Sequence, residues 1–104
     1  RPHIHETAPA KLNLILSVGP LDGGHGRHPI SSWMVTIDLS DDLHVTRLAD
    51  DSISRYAIRW HDDARRRSDI DWRIEDDLSV AAHRALERFT NRRLPVQMRL
   101  EKRI

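Results

Sequence analysis

Ala8-Pro9-Ala10-Lys11-Leu12-Asn13-Leu14-Ile15-Leu16-Ser17-Val18 alternates along its length, with Leu12, Leu14, Leu16 and Val18 on one side and Lys11, Asn13, Ile15 and Ser17 on the other. A period of two is that of a β-strand, and it places Lys11 and Asn13 side by side on one face. Gly19-Pro20 and Asp22-Gly23-Gly24-His25-Gly26 break the pattern and predict a loop that ends where the chain resumes at Pro29. Trp33 to Leu39 reads as a second strand, Leu43 to Leu48 as a third after a turn at Ser40-Asp41-Asp42, and Ser54 to Trp60 as a fourth. Together they predict an antiparallel meander.

Between Trp60 and Trp72 the chain is dense in charge and predicts an exposed connection. A helix follows, because Leu78, Ala81, Ala82, Ala85, Leu86 and Phe89 fall on one stripe at three- and four-residue spacing. Glu75, Asp76 and Asp77 crowd its start, where a carboxylate caps free amides, and Arg88, Arg92 and Arg93 lie toward its negative end. Pro95 cannot extend the helix, and Val96, Met98 and Leu100 alternate with Gln97, Arg99 and Glu101 as a last strand. The fold class expected is α+β, a mostly antiparallel sheet with one packed helix, in a single domain spanning residues 1–104.

At 104 residues the chain supports one modest core and no cleft between two lobes. Lys plus Arg number 17 and Asp plus Glu 16, interspersed, so no net field draws nucleic acid or an anionic membrane. Cysteine is absent, which excludes disulfides and thiol chemistry. No apolar run approaches the ~20 residues of a membrane helix, and no signal peptide is visible near Arg1; a cytoplasmic location is the expectation.

Among residues that could carry chemistry, Lys11 stands first. A cation fixed on a strand is held more rigidly than one on a loop and can face a developing negative charge. The plain alternative is an exposed strand lysine, and for Asn13 a side chain that caps or pairs with a neighbour. His3 with His5, and His25 with His28, have spacings that could chelate, but nothing completes a site and no metal is assigned to them. Arg65-Arg66-Arg67, flanked by Asp62, Asp63 and Asp69, predicts a neutralised solvent-exposed turn.

Pro9-Ala10-Lys11-Leu12-Asn13-Leu14 resembles the opening strand of the GHMP kinases, the galactose, homoserine, mevalonate and phosphomevalonate kinases and their relatives. The resemblance implies part of an N-terminal lobe, with Lys11 polarising the acceptor hydroxyl and Asn13 binding substrate. It also implies ATP with Mg2+ as cofactors. The branch it suggests acts in the non-mevalonate isoprenoid pathway, on a small-molecule acceptor, a cytidine diphosphate ester of methylerythritol. That branch carries an Asp-Gly-aromatic-His motif for the cytosine. Asp22-Gly23-Gly24-His25 imitates it, but Met34-Val35-Thr36-Ile37-Asp38-Leu39, which resembles the following strand, aligns without gaps when His28 is the motif histidine. Arg27 then replaces the aromatic, and a guanidinium can stack on a base.

Asp76-Asp77-Leu78-Ser79-Val80-Ala81-Ala82 resembles the family's Asp-Asn-Leu helix start beside adenine, with Asp77 in place of asparagine and helix capping as its competing role. Lys102 resembles a lysine that meets the nucleotide; a strand-end lysine snorkelling to water is the alternative. The chain stops at Ile104, where the family continues into a glycine-rich phosphate loop and then the general base. The 104 residues alone are therefore expected to be inactive and, as a partial lobe, to expose apolar surface that favours dimerisation. The rival readings are a kinase for another small alcohol and a non-catalytic binding module.

Overall fold

The computed structural model describes residues 2–21 and 26–104. It contains β1 (His3–Val18), β2 (Ile30–Arg47), β3 (Arg55–Trp60), a 3-10 turn at Ile74–Asp76, α1 (Leu78–Thr90) and β4 (Val96–Lys102). The architecture is α+β, with the strands forming one sheet in the order β1-β2-β4-β3. β1 pairs antiparallel with β2 and β2 with β4, whereas β3 and β4 run parallel. The expected meander is thus corrected. A parallel pair cannot be closed by a hairpin, and the chain passes through α1 between β3 and β4.

Ser40-Asp41-Asp42 does not turn either; the expected second and third strands are one strand, β2. Both aspartates find cross-strand donors that let the backbone stay extended. Asp41 Oδ1 accepts from the amides of Arg103 at 2.7 Å and Ile104 at 3.1 Å. Asp42 lies 2.9 Å from Arg103 Nη1 and 3.3 Å from His5 Nε2. What survives of the expected break is an irregular ladder, since Pro9 faces Ser40 but Lys11 faces Thr36. A second irregularity falls at Leu14: Asn13 opposes Met34 while Ile15 opposes the adjacent Trp33. Lys11 and Asn13 keep their common face, but this bulge shifts the alternation, and Ile15 leaves that face.

The core is built where β4 meets α1. Val80, Val96 and Met98 are buried, with Leu43, Val45, Tyr56 and Ile74 packed around them. The helix arrives by a different face from the one its stripe predicts. Val80 is 0% exposed, whereas Leu78 is 86% and Phe89 89% exposed. The face turned to the sheet carries Val80, His83 and Glu87, also at three- and four-residue spacing, and its two polar members are satisfied locally. Tyr56 Oη donates to His83 Nδ1 at 2.8 Å, and His83 Nε2–H donates to the Leu94 carbonyl at 2.8 Å. Glu87 Oε2 accepts from the Leu94 amide at 2.7 Å. Paired polar groups of this kind can be buried at little cost, which a purely apolar stripe does not anticipate. The helix ends at Asn91, whose φ of 51° is the left-handed cap conformation asparagine tolerates.

α1 covers only part of the sheet. Beside it an apolar cleft of about 450 Å³ lies between Ala82 and Leu86 of the helix and Ile4, Leu43 and Val45 of β1 and β2. Beyond β4 the outer halves of β1 and β2 continue as a two-stranded ribbon with Leu12, Leu16, Trp33, Met34 and Leu39 exposed. The ribbon makes the molecule long: its radius of gyration is 17.0 Å, against ~13 Å for a compact chain of about 100 residues.

Candidate functional site

The residues singled out in the sequence fall into two groups. Lys11 and Asn13 stand exposed on the ribbon, opposite Thr36 and Met34. The ribbon's open end is drawn together at Gly19, whose amide donates to the Pro29 carbonyl at 2.7 Å. His28 Nδ1–H donates to the Gly19 carbonyl at 2.9 Å; a carbonyl only accepts, so that nitrogen carries the hydrogen and Nε2 remains for other partners. A Cβ on Gly19 would lie 2.7 Å from Pro29 Cγ, so the neck requires glycine. Arg27 is exposed beside His28. The competing stretch Asp22-Gly23-Gly24-His25 lies outside the described residues.

Asp77 and Lys102 form the second group, and both line one pocket of about 490 Å³ at the start of α1, together with Ala8, Asp41, Trp72 and Leu100. Asp77 caps the helix: Oδ1 accepts from Ser79 N at 2.9 Å and from the Ser79 hydroxyl, while Oδ2 accepts from Trp72 Nε1 at 2.9 Å. Burial works to raise its pKa, but the Ser79 and Trp72 hydrogen bonds and the Lys102 charge outweigh it and hold the carboxyl below the usual range. Lys102 Nζ lies 3.5 Å from Asp41 Oδ2 and 5.8 Å from the ring centroids of both Trp60 and Trp72. It is therefore held between two indoles and a carboxylate. Trp60 is anchored in turn, Nε1 donating to the Ser68 carbonyl at 2.7 Å.

The connection before Trp72 is more structured than a solvated turn. Arg67 Nη2 donates to the carbonyls of His61 at 3.2 Å and Asp62 at 3.0 Å, and Arg103 Nε lies 2.6 Å from Asp63 Oδ1. Ala8 links the two groups. It rims the pocket, and Lys11 lies three residues farther along β1, roughly 10 Å at strand rise. β1 thus runs from the pocket rim to Lys11 and Asn13 without joining the two groups in one cavity. Trp60, Trp72 and Asp41 were not anticipated. The signal was present in the two tryptophans that bracket the polar connection, since a large aromatic beside such a segment is often anchored by its N–H.

The opposite sheet face is polar. His5 and His44, partners across β1 and β2, stack with centroids 4.3 Å apart and planes at 9°. His44 Nε2 lies 3.2 Å from Glu101, whose carboxylate also meets Arg59 and Arg99. Burial, then the charges of Arg99 and His5, lowers the His44 pKa against the opposing pull of Glu101. Burial tends to raise Asp42, but hydrogen bonds from His5 and Arg103 prevail and its pKa is lowered. Among the described residues no group of three or more His, Asp or Glu is arranged to hold a metal ion, and no helix is long and apolar enough to cross a membrane.

In sequence and in fold the chain is similar to small-molecule kinases. The particular relative is 4-diphosphocytidyl-2-C-methyl-D-erythritol kinase: the protein of that name from Paraburkholderia phymatum is 33% identical to this chain over 98 residues, covering 93% of the chain and 29% of the relative. The crystal structure of a 4-(cytidine 5'-diphospho)-2C-methyl-D-erythritol kinase has the same fold over 97% of this chain and 32% of its own, with a TM-score of 0.62 and 24% sequence identity. The chain thus spans about a third of the length of the proteins it matches. No protein-family model matches the sequence.

Proposed function

We propose that this chain supplies the acceptor-binding strand and the nucleotide-base pocket of an ATP-dependent kinase whose substrate is a cytidine diphosphate ester of methylerythritol. The observation that carries the reading is the meeting of Asp77 and Lys102 in one largely apolar pocket, on the strand system that also bears Lys11 and Asn13. Apolar walls with a few placed polar groups are what a planar base requires. Lys102, steadied by Asp41, presents its remaining donors to the base or ribose. Lys11 polarises the acceptor hydroxyl and Asn13 orients it, both from a strand that holds them in fixed relation. His28, with Nδ1 committed to Gly19, offers Nε2 to the cytosine while Arg27 stacks on it.

ATP supplies the phosphoryl group when bound, and its base fits the pocket. Mg2+ is the expected companion of the phosphates, but no carboxylate here is assigned to it, because Asp41 and Asp77 are committed to neighbouring donors. Neither a phosphate-binding loop nor a general base is assigned to any of these residues. A cytoplasmic location accords with this small-molecule chemistry.

Arg27 in place of an aromatic favours one second reading, a related kinase for another small alcohol. The test is ADP release with ATP and Mg2+ by the protein purified from its natural source, its intact mass measured alongside. Turnover of the cytidine-bearing acceptor and not of methylerythritol phosphate supports the first reading, preference for a cytidine-free alcohol the second. Absence of ADP release with every acceptor tried contradicts both.

A further inference from the structure

Building on the nucleotide reading of the Asp77–Lys102 pocket, we propose that Trp72 is the surface on which the base stacks and that Asp77 is the positioning residue that fixes its ring. Trp72 lines the pocket while remaining 37% exposed, so part of the indole is open to a ligand. An indole accepts any base, because every base has a π-face. The ring is held at its edge by the 2.9 Å bond from Nε1 to Asp77 Oδ2, and Lys102 Nζ, 5.8 Å from its centroid, adds a cation beside the stack.

Asp77 receives three donors at once: the Ser79 amide and hydroxyl on Oδ1 and the Trp72 indole on Oδ2. An ionised carboxylate accepts all three. An asparagine could still cap α1 through its Oδ1, but its amide nitrogen would then meet the indole N–H, donor against donor. Aspartate at this position, where the resembling kinases carry asparagine, is therefore matched to the tryptophan five residues earlier. The pair is one device: the cap that starts the helix also orients the aromatic wall of the pocket.

The test measures binding of ATP and of inorganic tripolyphosphate, a base-free probe, to the 104-residue chain by calorimetry. Trp72→Ala is expected to weaken ATP roughly ten- to a hundredfold, the range of one lost base–aromatic stack, and to leave tripolyphosphate unchanged. Asp77→Asn should lower the thermal midpoint only modestly, through the lost indole bond, since asparagine still caps α1, yet weaken ATP severalfold. Introduced on Trp72→Phe, which has no indole N–H, the same change should have no further effect. Unaltered ATP affinity in both Trp72→Ala and Asp77→Asn overturns this assignment and leaves the nucleotide reading standing. Failure of the unmutated chain to bind ATP overturns both.

Discussion

Replacing Val80 with alanine tests how α1 is seated. Val80 is the fully buried helix residue, packed in the cluster with Val96 and Met98. The change removes two methyl groups, about 1.6 kcal/mol at ~0.8 kcal/mol per group. A residual cavity of roughly 45 Å³ adds about 1 kcal/mol at ~24 cal/mol per Å³. The sum, about 2–3 kcal/mol, corresponds to a fall of roughly 10 °C in the midpoint at ~4 °C per kcal/mol. Equilibrium urea unfolding should show the midpoint displaced with the slope preserved. Phe89→Ala is the control, because Phe89 is exposed on the stripe that the apolar periodicity selects, and it should change stability by no more than about 0.5 kcal/mol. The reverse result, a large cost for Phe89→Ala and none for Val80→Ala, would refute this seating and restore the face expected from the sequence.

Gly19→Ala should cost about 1–3 kcal/mol, because the added Cβ would lie 2.7 Å from a proline ring that cannot step aside; an unchanged urea midpoint would contradict the neck described here. His44 has a lowered pKa, so the unfolded chain takes up its proton first as the pH falls, and the stability it contributes, present above about pH 6.5, is lost below it. His44→Gln should therefore flatten the fall in thermal midpoint between about pH 7 and pH 5, and an unchanged slope would remove His44 from the account. In a kinase assay on the natural protein, Lys11→Ala should lower kcat by about a hundredfold or more with the unfolding midpoint intact, since Lys11 is exposed. Unchanged kcat would exclude it from the mechanism.

The helix limits, β3 and β4 were legible because their periods are undisturbed and the helix is bracketed by Asp77 and Pro95. Strand order was not. β3 and β4 are parallel neighbours only because α1 passes between them in the chain, and alternation alone carries no partner information. The continuity of β2 was hidden by Asp41 and Asp42, which read as turn formers until Arg103, His5 and the last backbone amides are seen to receive them. The helix face was misjudged for a related reason, that His83 and Glu87 count as polar in a pattern but are paired in the fold. At the pocket the sequence pointed to Asp77 and Lys102. Trp72 escaped because its role depends on a hydrogen bond that no spacing reveals.

The three tryptophans report on separate places: Trp33 on the ribbon, Trp60 at the end of β3, and Trp72 in the pocket. The most direct measurement is therefore an NMR titration of the three indole N–H signals with ATP. The account predicts that the Trp72 signal moves first and farthest, that Trp60 follows through Lys102, and that Trp33 stays in place. Movement of Trp33 alone, or of none of the three at millimolar ATP, would contradict a nucleotide site at the start of α1.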